Sequence, residues 1–241
     1  MRIDGYLYET HMHTCEGSAC SRASGAELAR AYARAGYTGI IVTDHFVYGN
    51  TAVDRKLPWT EWVEKFCLGY ERAKEEGDRI GLQVFFGWES GYSGTEFLIY
   101  GLDKQWLLEH PEIREATVQE QYELVHAGGG IVCHAHPWRE APYIPEIRLF
   151  PEYVDAVEGY NGNHFSKIVR KTPRPEFNDR AVAYAAEHGL PLTAGSDQHG
   201  VDMIFGGMVF PRKLTDIHDF NRAVLNREAI RLMDGAYEVT S

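Results

Sequence analysis

The sequence predicts an α/β fold, a barrel of parallel strands joined by crossover helices. Its 241 residues match the usual length of one α/β barrel domain. Short apolar runs alternate with helical patterns, as in chains of βα units. Several apolar runs lead into histidines or carboxylates, as expected where the strands of a barrel open onto one face. No linker or repeat interrupts the pattern, so we expect one domain over residues 1–241.

The first helix and the strand after it are the clearest elements. Ser24 and Glu27 have the spacing of a capping box, which marks a helix start. One face of this helix is apolar and carries Leu28, Ala31, Tyr32 and Ala35. Gly36 ends the helix, and the apolar run Tyr37–Thr43 predicts a buried strand.

The rest of the chain repeats this alternation of helices and strands. We predict helices over residues Thr60 to about Glu76, Val118–His126, Phe177–Glu187 and Ile217–Val224. We predict strands over Leu82–Phe86, Phe97–Tyr100, Ile131–Cys133, Tyr153–Glu158, Leu190–Ala194 and Ala229–Leu232. Two long loops, Phe46–Pro58 and Pro137–Pro151, follow strand ends that carry polar residues. Long loops in compact domains are usually binding loops or lids, so substrate specificity is expected there.

The charge balance limits the partners of the chain. Lys and Arg number 24 against 35 Asp and Glu, a formal charge of -11. Such a field repels a long polyanion, so we exclude a long nucleic acid as partner. It does not exclude a small phosphorylated substrate, because a bound cation reverses the local sign of charge.

The cysteines and the N-terminus indicate a cytoplasmic protein. Cys15, Cys20, Cys67 and Cys133 show no CxxC spacing, which favours free thiols in a reducing compartment. The first residues are too polar for a signal peptide, and no apolar run reaches the ~20 residues of a membrane span. We therefore expect no membrane association. The oligomeric state stays open.

Metal-ligand residue types follow five of the strands. The apolar runs lead into His11 and His13, Asp44 and His45, Glu89, His134 and His136, and Asp197 and His199. Alternation along a strand puts His11 and His13 on one side of the backbone. Mixed imidazole and carboxylate ligands suit Zn, Mn or Fe. The set exceeds the needs of one tetrahedral ion, so two or three divalent ions are expected, with Glu89 as the bridging carboxylate.

These motifs resemble the PHP (polymerase and histidinol phosphatase) domain family. The segments HMHT, TDH, GWE, AHP and GSDQH occur in the family's order, from His11 to His199. The resemblance implies a distorted seven-stranded β/α barrel and a metal site that hydrolyses phosphate esters. By motif, His11, His13, Glu89 and Asp197 hold one ion. Glu89 and His136 serve a second ion, and His45 and His199 serve a third.

The sequence departs from the family pattern in two places. The loop after HMHT usually supplies an Asp or His, whereas here Glu16 is the nearest chemical substitute and the expected ligand. A family histidine after the bridging Glu falls near Glu96. Either Glu96 replaces it as an oxygen ligand, or the second ion is held more weakly.

The remaining candidates lie around the ligands. Asp44 is expected to orient a ligand from behind, as outer carboxylates do. His134 is either an extra ligand candidate or only lines the bowl, and Glu158 contacts either the substrate or a ligand. Arg22, Arg139 and His164 are expected on rim loops, where Arg binds phosphate with bidentate geometry. For these three a solvated surface role is an equal alternative.

The predicted activity is direct hydrolysis of a phosphate ester of a small molecule. Glu89 bridges the ions that activate a water, and Asp197, His199 or water protonates the leaving group. The alternative is a metal-dependent amidohydrolase that acts on a carbon–nitrogen bond. Such barrels commonly bridge their ions with a carboxylated lysine, whereas here Glu89 has that place. A non-catalytic PHP module is the third hypothesis, but it predicts lost ligands, and most ligands are present.

Overall fold

A single sheet of nine strands organises the chain. The computed structural model describes residues 4–165 and 172–234. The strand order across the sheet is β7-β6-β5-β4-β3-β2-β1-β8-β9. The strands are β1 (Tyr6–Met12), β2 (Gly39–Val42), β3 (Gln83–Tyr92), β4 (Thr95–Tyr100), β5 (Ile131–Ala135), β6 (Ala156–Asn161), β7 (Leu192–Gly195), β8 (Gly206–Phe210) and β9 (Arg231–Asp234).

Helices cover the outside of this sheet. They are α1 (Gly25–Arg34), α2 (Trp59–Phe66), α3 (Leu68–Ile80), α4 (Lys104–Glu109), α5 (Val118–Ala127), α6 (Gly162–Phe165), α7 (Glu176–Glu187) and α8 (Ile217–Leu225). The capping box of Ser24 and Glu27 is present at the start of α1. The predicted helix from Thr60 is two helices that are separated only by Cys67. Among the described residues, none of the helices combines the length and apolar character that a membrane crossing needs.

The strand directions differ from the all-parallel prediction around β4. The β1–β2–β3 and β5–β6–β7 groups are parallel, but β4 is antiparallel to both β3 and β5. β3 and β4 form a hairpin, whose turn has Ser93 and Gly94 at positive φ. Glu89 therefore lies inside a long strand and not after a short one.

Strand β8, which the sequence analysis missed, adds an antiparallel edge beside β1. It opens with two glycines, and Gly207 has a φ of 125°. A Cβ there would lie 2.5 Å from the carbonyl oxygen of Tyr8, so only glycine lets β8 approach β1. Glycines of this kind weaken the apolar alternation by which a strand is predicted.

The segment after β7, the strand at one end of the sheet, meets β1, so that the sheet forms a nearly closed barrel. Asp197 N donates to His11 O at 2.9 Å, and His13 N donates to Gln198 O at 3.3 Å. Inside the barrel, Tyr8, Leu98, Tyr100 and Phe210 pack in one apolar cluster. The predicted α/β barrel is confirmed, although the described residues contain nine strands and not seven.

Candidate metal centre

The predicted ligands gather at one end of the barrel. His11 lies in β1 and His13 directly after it, His45 follows β2, and His136 follows β5. Glu89 lies in β3, and Asp197 and His199 follow β7. Since parallel strands end on the same face, residues separated by up to 188 positions in numbering converge there (199 − 11). Of these side chains only His199 has substantial exposure, 21%.

Glu89 occupies the centre of the cluster. Its Oε1 lies 3.0 Å from His136 Nε2 and 3.3 Å from His11 Nε2. Its Oε2 lies 2.8 Å from His45 Nδ1 and 3.6 Å from His13 Nε2. Each oxygen therefore faces a different pair of imidazoles, which is the arrangement that a bridging carboxylate needs.

Asp197 forms the second acidic contact of the cluster. Its Oδ1 is 3.2 Å from His13 Nε2, 3.7 Å from His11 Nε2 and 3.8 Å from His199 Nδ1. Its Oδ2 accepts hydrogen bonds from Arg139 and, at 3.2 Å, from Asn161. One carboxylate oxygen thus faces the histidines while the other is fixed by the surrounding protein.

Several buried polar atoms in the cluster lie close to other polar atoms but lack the geometry of a hydrogen bond. They include His11 Nε2, His45 Nδ1 and Glu89 Oε2, all directed into the cluster. Buried polar groups are rarely left without a partner, so such atoms call for an explanation. Nitrogen and oxygen donors that converge in this way fit divalent ions such as Zn, Mn or Fe.

Four groups of donors are close enough to share an ion. Within each group the donor atoms all lie within 4.8 Å of one another. The groups are His13, His45 and His199; His11, His13 and Glu89; His11, His136 and Asp197; and His45, Glu89 and Glu96. They share members, as expected for neighbouring ions with common ligands.

The histidines and carboxylates of the cluster compensate each other's charges. Burial disfavours the charged form of His11, but Glu158, Glu89 and Asp197 outweigh it and raise its pKa well above the usual value. Burial alone would raise the pKa of Glu89, whereas the charges of His11 and His45 hold it well below its usual range. Glu89 is therefore a charged carboxylate although it is buried, and a charged carboxylate can bind a cation.

Glu158 fixes the orientation of His11. Its Oε1 is 2.8 Å from His11 Nδ1, and its Oε2 accepts from the backbone N of His136 at 3.0 Å and from Asn161 Nδ2 at 2.9 Å. With Nδ1 engaged, His11 presents Nε2 to Glu89 and Asp197. An imidazole that is held by a carboxylate on its far nitrogen is the common arrangement behind metal ligands.

Asp44 is linked to His13 and His45 through the hydroxyl group of Ser18. It accepts from Thr14 N at 2.6 Å, Thr14 Oγ1 at 2.7 Å and Ser18 Oγ at 2.7 Å. Ser18 Oγ is also 3.3 Å from His13 Nδ1 and accepts from His45 N at 2.9 Å. Burial raises the pKa of Asp44 to about 6, although these hydrogen bonds oppose the rise. Asp44 therefore orders the loop that carries His13 without touching a histidine ring.

Two ligand candidates have strained backbones. His136 has a φ of 29° and Asp197 a φ of 51°. Residues other than glycine rarely adopt positive φ, and such strain is concentrated at functional sites. Both side chains face the cluster, where His136 contacts Glu89 and Asp197 contacts His13.

The structure does not bring Glu16 to the centre. Its carboxylate accepts from Arg72 at 2.9 Å and from the backbone N of Gly25 at 3.1 Å, at the start of α1. A surface cation and a helix N-terminus stabilise the carboxylate there. The prediction of Glu16 as a ligand is therefore corrected.

Glu96 lies beside the cluster, whereas His134 lies away from it. Glu96 Oε2 lies 3.5 Å from His136 Nε2, and its Oε1 lies 3.9 Å from His45 Nδ1, beside the cluster. His134 packs among Phe97, Phe150 and Tyr184, away from the cluster. Burial lowers the pKa of His134 to about 3, so the ring is neutral. Among the described residues His134 belongs to none of the donor groups that could share an ion, so neither expectation for it, an extra ligand or a residue lining the bowl, is met.

Of the three predicted rim residues, two are buried beside the cluster and one is exposed at the surface. Arg139 is buried and bonds Asp197 and, at 3.1 Å, His164 Nε2. His164 is itself buried, with Nδ1 2.8 Å from Asn178 Oδ1, so it supports Arg139 and does not lie on the rim. Arg22 is exposed and pairs with Asp202 at 3.0 Å. It is not among the described residues that line the cavity.

A cavity of about 560 Å³ lies directly above the cluster. His45, Glu96, Asp197 and His199 form part of its wall, together with Arg139, Tyr143 and Cys20. The sequence analysis missed Cys20 and Tyr143 as parts of this wall. The loop positions that they occupy have no regular periodicity, so no pattern in the sequence could place them.

Comparison with known proteins gives one match in sequence. Residues 175–229 match the sequence model of the PHP-associated family PHP_C. No curated protein is significantly similar to the chain.

Solved structures match over nearly the whole chain. A two-domain protein from Bacteroides vulgatus, described as containing a predicted PHP-like metal-dependent phosphoesterase, aligns with a TM-score of 0.64 and 13% identity. The alignment covers 93% of this chain and 63% of that protein, so the chain spans under two thirds of its length. The chain has the fold of PHP-like proteins.

Two further structures share this PHP-like fold. A protein from Bifidobacterium adolescentis assigned to the metal-dependent phosphoesterases aligns with a TM-score of 0.55 and 17% identity, over 91% of this chain and 96% of that one. An amidohydrolase from Chromobacterium violaceum with bound sulfate and no metal gives a TM-score of 0.54 and 14% identity, over 80% and 87%. The resemblance to the PHP family predicted from the motifs is confirmed.

Proposed function

We propose that this PHP-like chain is a metal-dependent phosphoesterase that hydrolyses a phosphate ester of a small molecule. The observation that carries the proposal is the buried convergence of histidines on the two oxygens of Glu89, beneath an open cavity. Such a centre suits hydrolysis, in which ions activate water and neutralise the charge of the transferred group.

The residues divide among two or three ions. His11, His13, Glu89 and Asp197 would hold the first, and Glu89, His136 and Glu96 the second. His45 and His199 would hold a third. Glu96 takes the oxygen-ligand role because it lies beside both His136 and His45. Zn, Mn and Fe all accept this mixture of nitrogen and oxygen donors.

Arg139 is the residue that we assign to the phosphoryl group. It lines the cavity, and its contacts with Asp197 and His164 hold the guanidinium in place. A guanidinium has five N–H donors, so donors remain for a phosphate after these two contacts. Arg139 would thus bind substrate oxygens beside the metal ligand that it orients.

The size and charge of the site favour a small substrate. The cavity volume of about 560 Å³ lies within the ~300–1,000 Å³ of small-molecule sites. The formal charge of -11 disfavours a long polyanion.

A carbon–nitrogen bond is the second candidate target, because the amidohydrolase from C. violaceum shares the fold. Glu89 at the centre of this cluster favours the phosphatase hypothesis, since amidohydrolase barrels commonly place a carboxylated lysine there.

The proposal is tested with purified protein loaded with Zn, Mn or Fe. Phosphate monoesters, phosphate diesters and cyclic amides are offered side by side. We expect hydrolysis of a monoester, and a loss in His11→Ala and Glu89→Gln that exceeds the roughly 10–100-fold cost of removing an outer partner. His218→Ala, on the exposed side of α8, is the matched control and retains activity.

Cleavage of an amide with every ester left intact would replace the phosphatase proposal with the second candidate. Full activity of folded Glu89→Gln would overturn the assignment of the centre itself.

A further inference from the structure

A closed circuit of buried hydrogen bonds connects Arg139 with the ligand candidate Asp197 by two routes. The first route is direct, since Arg139 Nη2 donates to Asp197 Oδ2. The second route passes through His164, Asn178 and Asn161. All members of this hydrogen-bond circuit are buried. A buried polar network whose members satisfy one another holds each of them in one orientation.

The second route has a hydrogen bond at every step. Arg139 Nε donates to His164 Nε2 at 3.1 Å, and His164 Nδ1 lies 2.8 Å from Asn178 Oδ1. Asn178 Nδ2 donates to the carbonyl oxygen of Asn161, and Asn161 N donates to Asn178 Oδ1, both at 3.2 Å. Asn161 Nδ2 donates to Asp197 Oδ2 at 3.2 Å. The two routes therefore end on the same carboxylate oxygen.

The donors of the circuit determine which nitrogen of His164 carries the proton. A guanidinium can only donate, so His164 Nε2 accepts from Arg139 and has no proton. The backbone of Asn161 orients the amide of Asn178, because its N–H requires the oxygen and its carbonyl requires the NH₂ group. Asn178 Oδ1 is thus an acceptor, and the proton of His164 lies on Nδ1. The ring of His164 is therefore the neutral Nδ1–H tautomer.

The position of His164 is fixed by packing as well as by hydrogen bonds. Its ring meets the ring of Phe177 edge to face, with centres 5.2 Å apart. Its carbonyl oxygen accepts from the backbone N of Arg174 at 2.7 Å. The acceptor that His164 offers to Arg139 is therefore held by the segment that begins α7.

We propose that His164, held by Asn178 as the neutral Nδ1–H tautomer, is the positioning residue of Arg139 and directs its Nη1 donors to the phosphoryl oxygens. The inference rests on the proposed function, in which Arg139 binds the phosphoryl group. The contacts with His164 and Asp197 use Nε and Nη2, and they leave out Nη1. A guanidinium that is already fixed at two nitrogens loses little freedom when phosphate binds. Preorganisation of this kind raises affinity.

Two amide variants separate the roles of the two ring nitrogens of His164. In His164→Gln the longer side chain can bring an oxygen to the place of Nε2, so Arg139 keeps an acceptor. In His164→Asn the shorter side chain reaches only the place of Nδ1, so Arg139 loses its acceptor. Isothermal titration calorimetry measures the affinity of the zinc-loaded full-length protein for inorganic phosphate. We expect a loss of roughly 10–100-fold in His164→Asn, and a much smaller loss in His164→Gln.

Arg139→Gln shows whether the effect of His164 passes through Arg139. Adding His164→Asn to Arg139→Gln should weaken phosphate binding no further, because the guanidinium that His164 positions is gone. All variants are compared at equal zinc content, which metal analysis measures. Equal phosphate affinity in the wild type and His164→Asn overturns the proposal, as does a full additional loss in the double variant.

NMR of the metal-free wild-type protein tests the tautomer without a change in the circuit. The histidines are labelled with a heavy nitrogen isotope, and the two-bond couplings between ring nitrogens and ring protons show which nitrogen is protonated. The signal of His164 is identified by its absence in His164→Gln. We expect a proton on Nδ1 alone. A proton on Nε2, in either the neutral or the charged ring, overturns the proposal.

These measurements separate the inference from the proposed activity. A protein whose phosphate affinity depends on His164 through Arg139, but which hydrolyses no ester, keeps the positioning role and loses the activity. A protein that hydrolyses phosphate esters but binds phosphate equally well in the wild type and His164→Asn keeps the activity and loses the positioning role.

Discussion

Two residues at the centre differ in how they are held. Glu89 is surrounded by imidazoles, whereas His11 is fixed from behind by the carboxylate of Glu158. Glu158 also accepts from the backbone of His136, so one side chain supports two ligand candidates. The alignment of His11 and the strained turn at His136 therefore depend on the same carboxylate.

Glu158→Gln tests this dependence. The amide can keep the shape of Glu158 but carries no charge, so the hold on the tautomer of His11 weakens. We expect hydrolytic activity or metal affinity to fall by roughly 10–100-fold. Steady-state kinetics and metal titration measure the two effects.

Glu152→Gln, an exposed change in the segment before β6, is the control and leaves both quantities unchanged. Equal behaviour of the two variants would show that Glu158 does not position His11.

Residue types along the strands predicted the histidines and carboxylates of the centre, but not the residues of loops. His11, His13 and Asp197 adjoin apolar strands, whose ends must converge in a barrel. That Glu16 turns away from the centre depends on the path of residues 14–24, which contacts with Asp44, Asn50 and α1 together determine. His134 was misplaced because the strand ends at Ala135, and the positive φ of His136 breaks the alternation that would put both rings on one side.

At the scale of elements, the contact between β1 and the segment after β7 decides whether the centre forms. Glu9 lies beneath this contact and is fully buried. Its Oε1 accepts from the backbone N of Thr10 and His11 at 3.0 Å, and of Ser196 at 2.8 Å. Its Oε2 accepts from Tyr32 OH at 2.9 Å. One carboxylate therefore joins β1, α1 and the end of β7.

Glu9→Leu should lower the free energy of unfolding by at least about 3 kcal/mol, since each buried donor left unpaired costs roughly 1–3 kcal/mol. Glu9→Gln keeps an acceptor oxygen for the backbone donors, so its loss should be less than half as large. Urea denaturation followed by tryptophan fluorescence measures both. Similar losses in the two variants would show that burial, and not the acceptor oxygen, explains the role of Glu9.

The hairpin of β3 and β4 shows why the strand directions were harder to predict than the strands. The apolar residues of β4 were visible in the sequence, but direction depends on the connection. Only two residues, Ser93 and Gly94, separate β3 from β4, and this length permits an antiparallel pair alone. The prediction ended β3 at Phe86, because Gly87 and Glu89 interrupt its apolar run, and so the short connection was not recognised.

For the molecule as a whole, bound ions should stabilise the folded state, because their ligands come from distant parts of the chain. Ligands that bind only the folded state stabilise it, by about 1.4 kcal/mol for each tenfold rise in free ligand above the dissociation constant. For a chain of this length that corresponds to roughly 3–6 °C in Tm. We expect Tm to rise with buffered free Zn and to fall when a chelator removes it.

Scanning calorimetry or fluorimetry measures this shift. Glu89→Gln should respond less to Zn than the wild type. Mg²⁺, which prefers oxygen ligands, should have a smaller effect on the wild type than Zn has. A Tm that does not depend on Zn would contradict a folded-state metal centre.

The contact between the end of β1 and the segment after β7 joins residues that are synthesised at very different times. His13 and Asp197 meet there, although they are 184 residues apart in the chain. At roughly 5–20 residues per second, a ribosome needs about 10–40 s to travel that distance. Throughout this interval the emerging chain has His11 and His13 without Asp197, the carboxylate that lies beside both in the folded cluster. The ligand set is therefore complete only late in synthesis, long after its first histidines have been made.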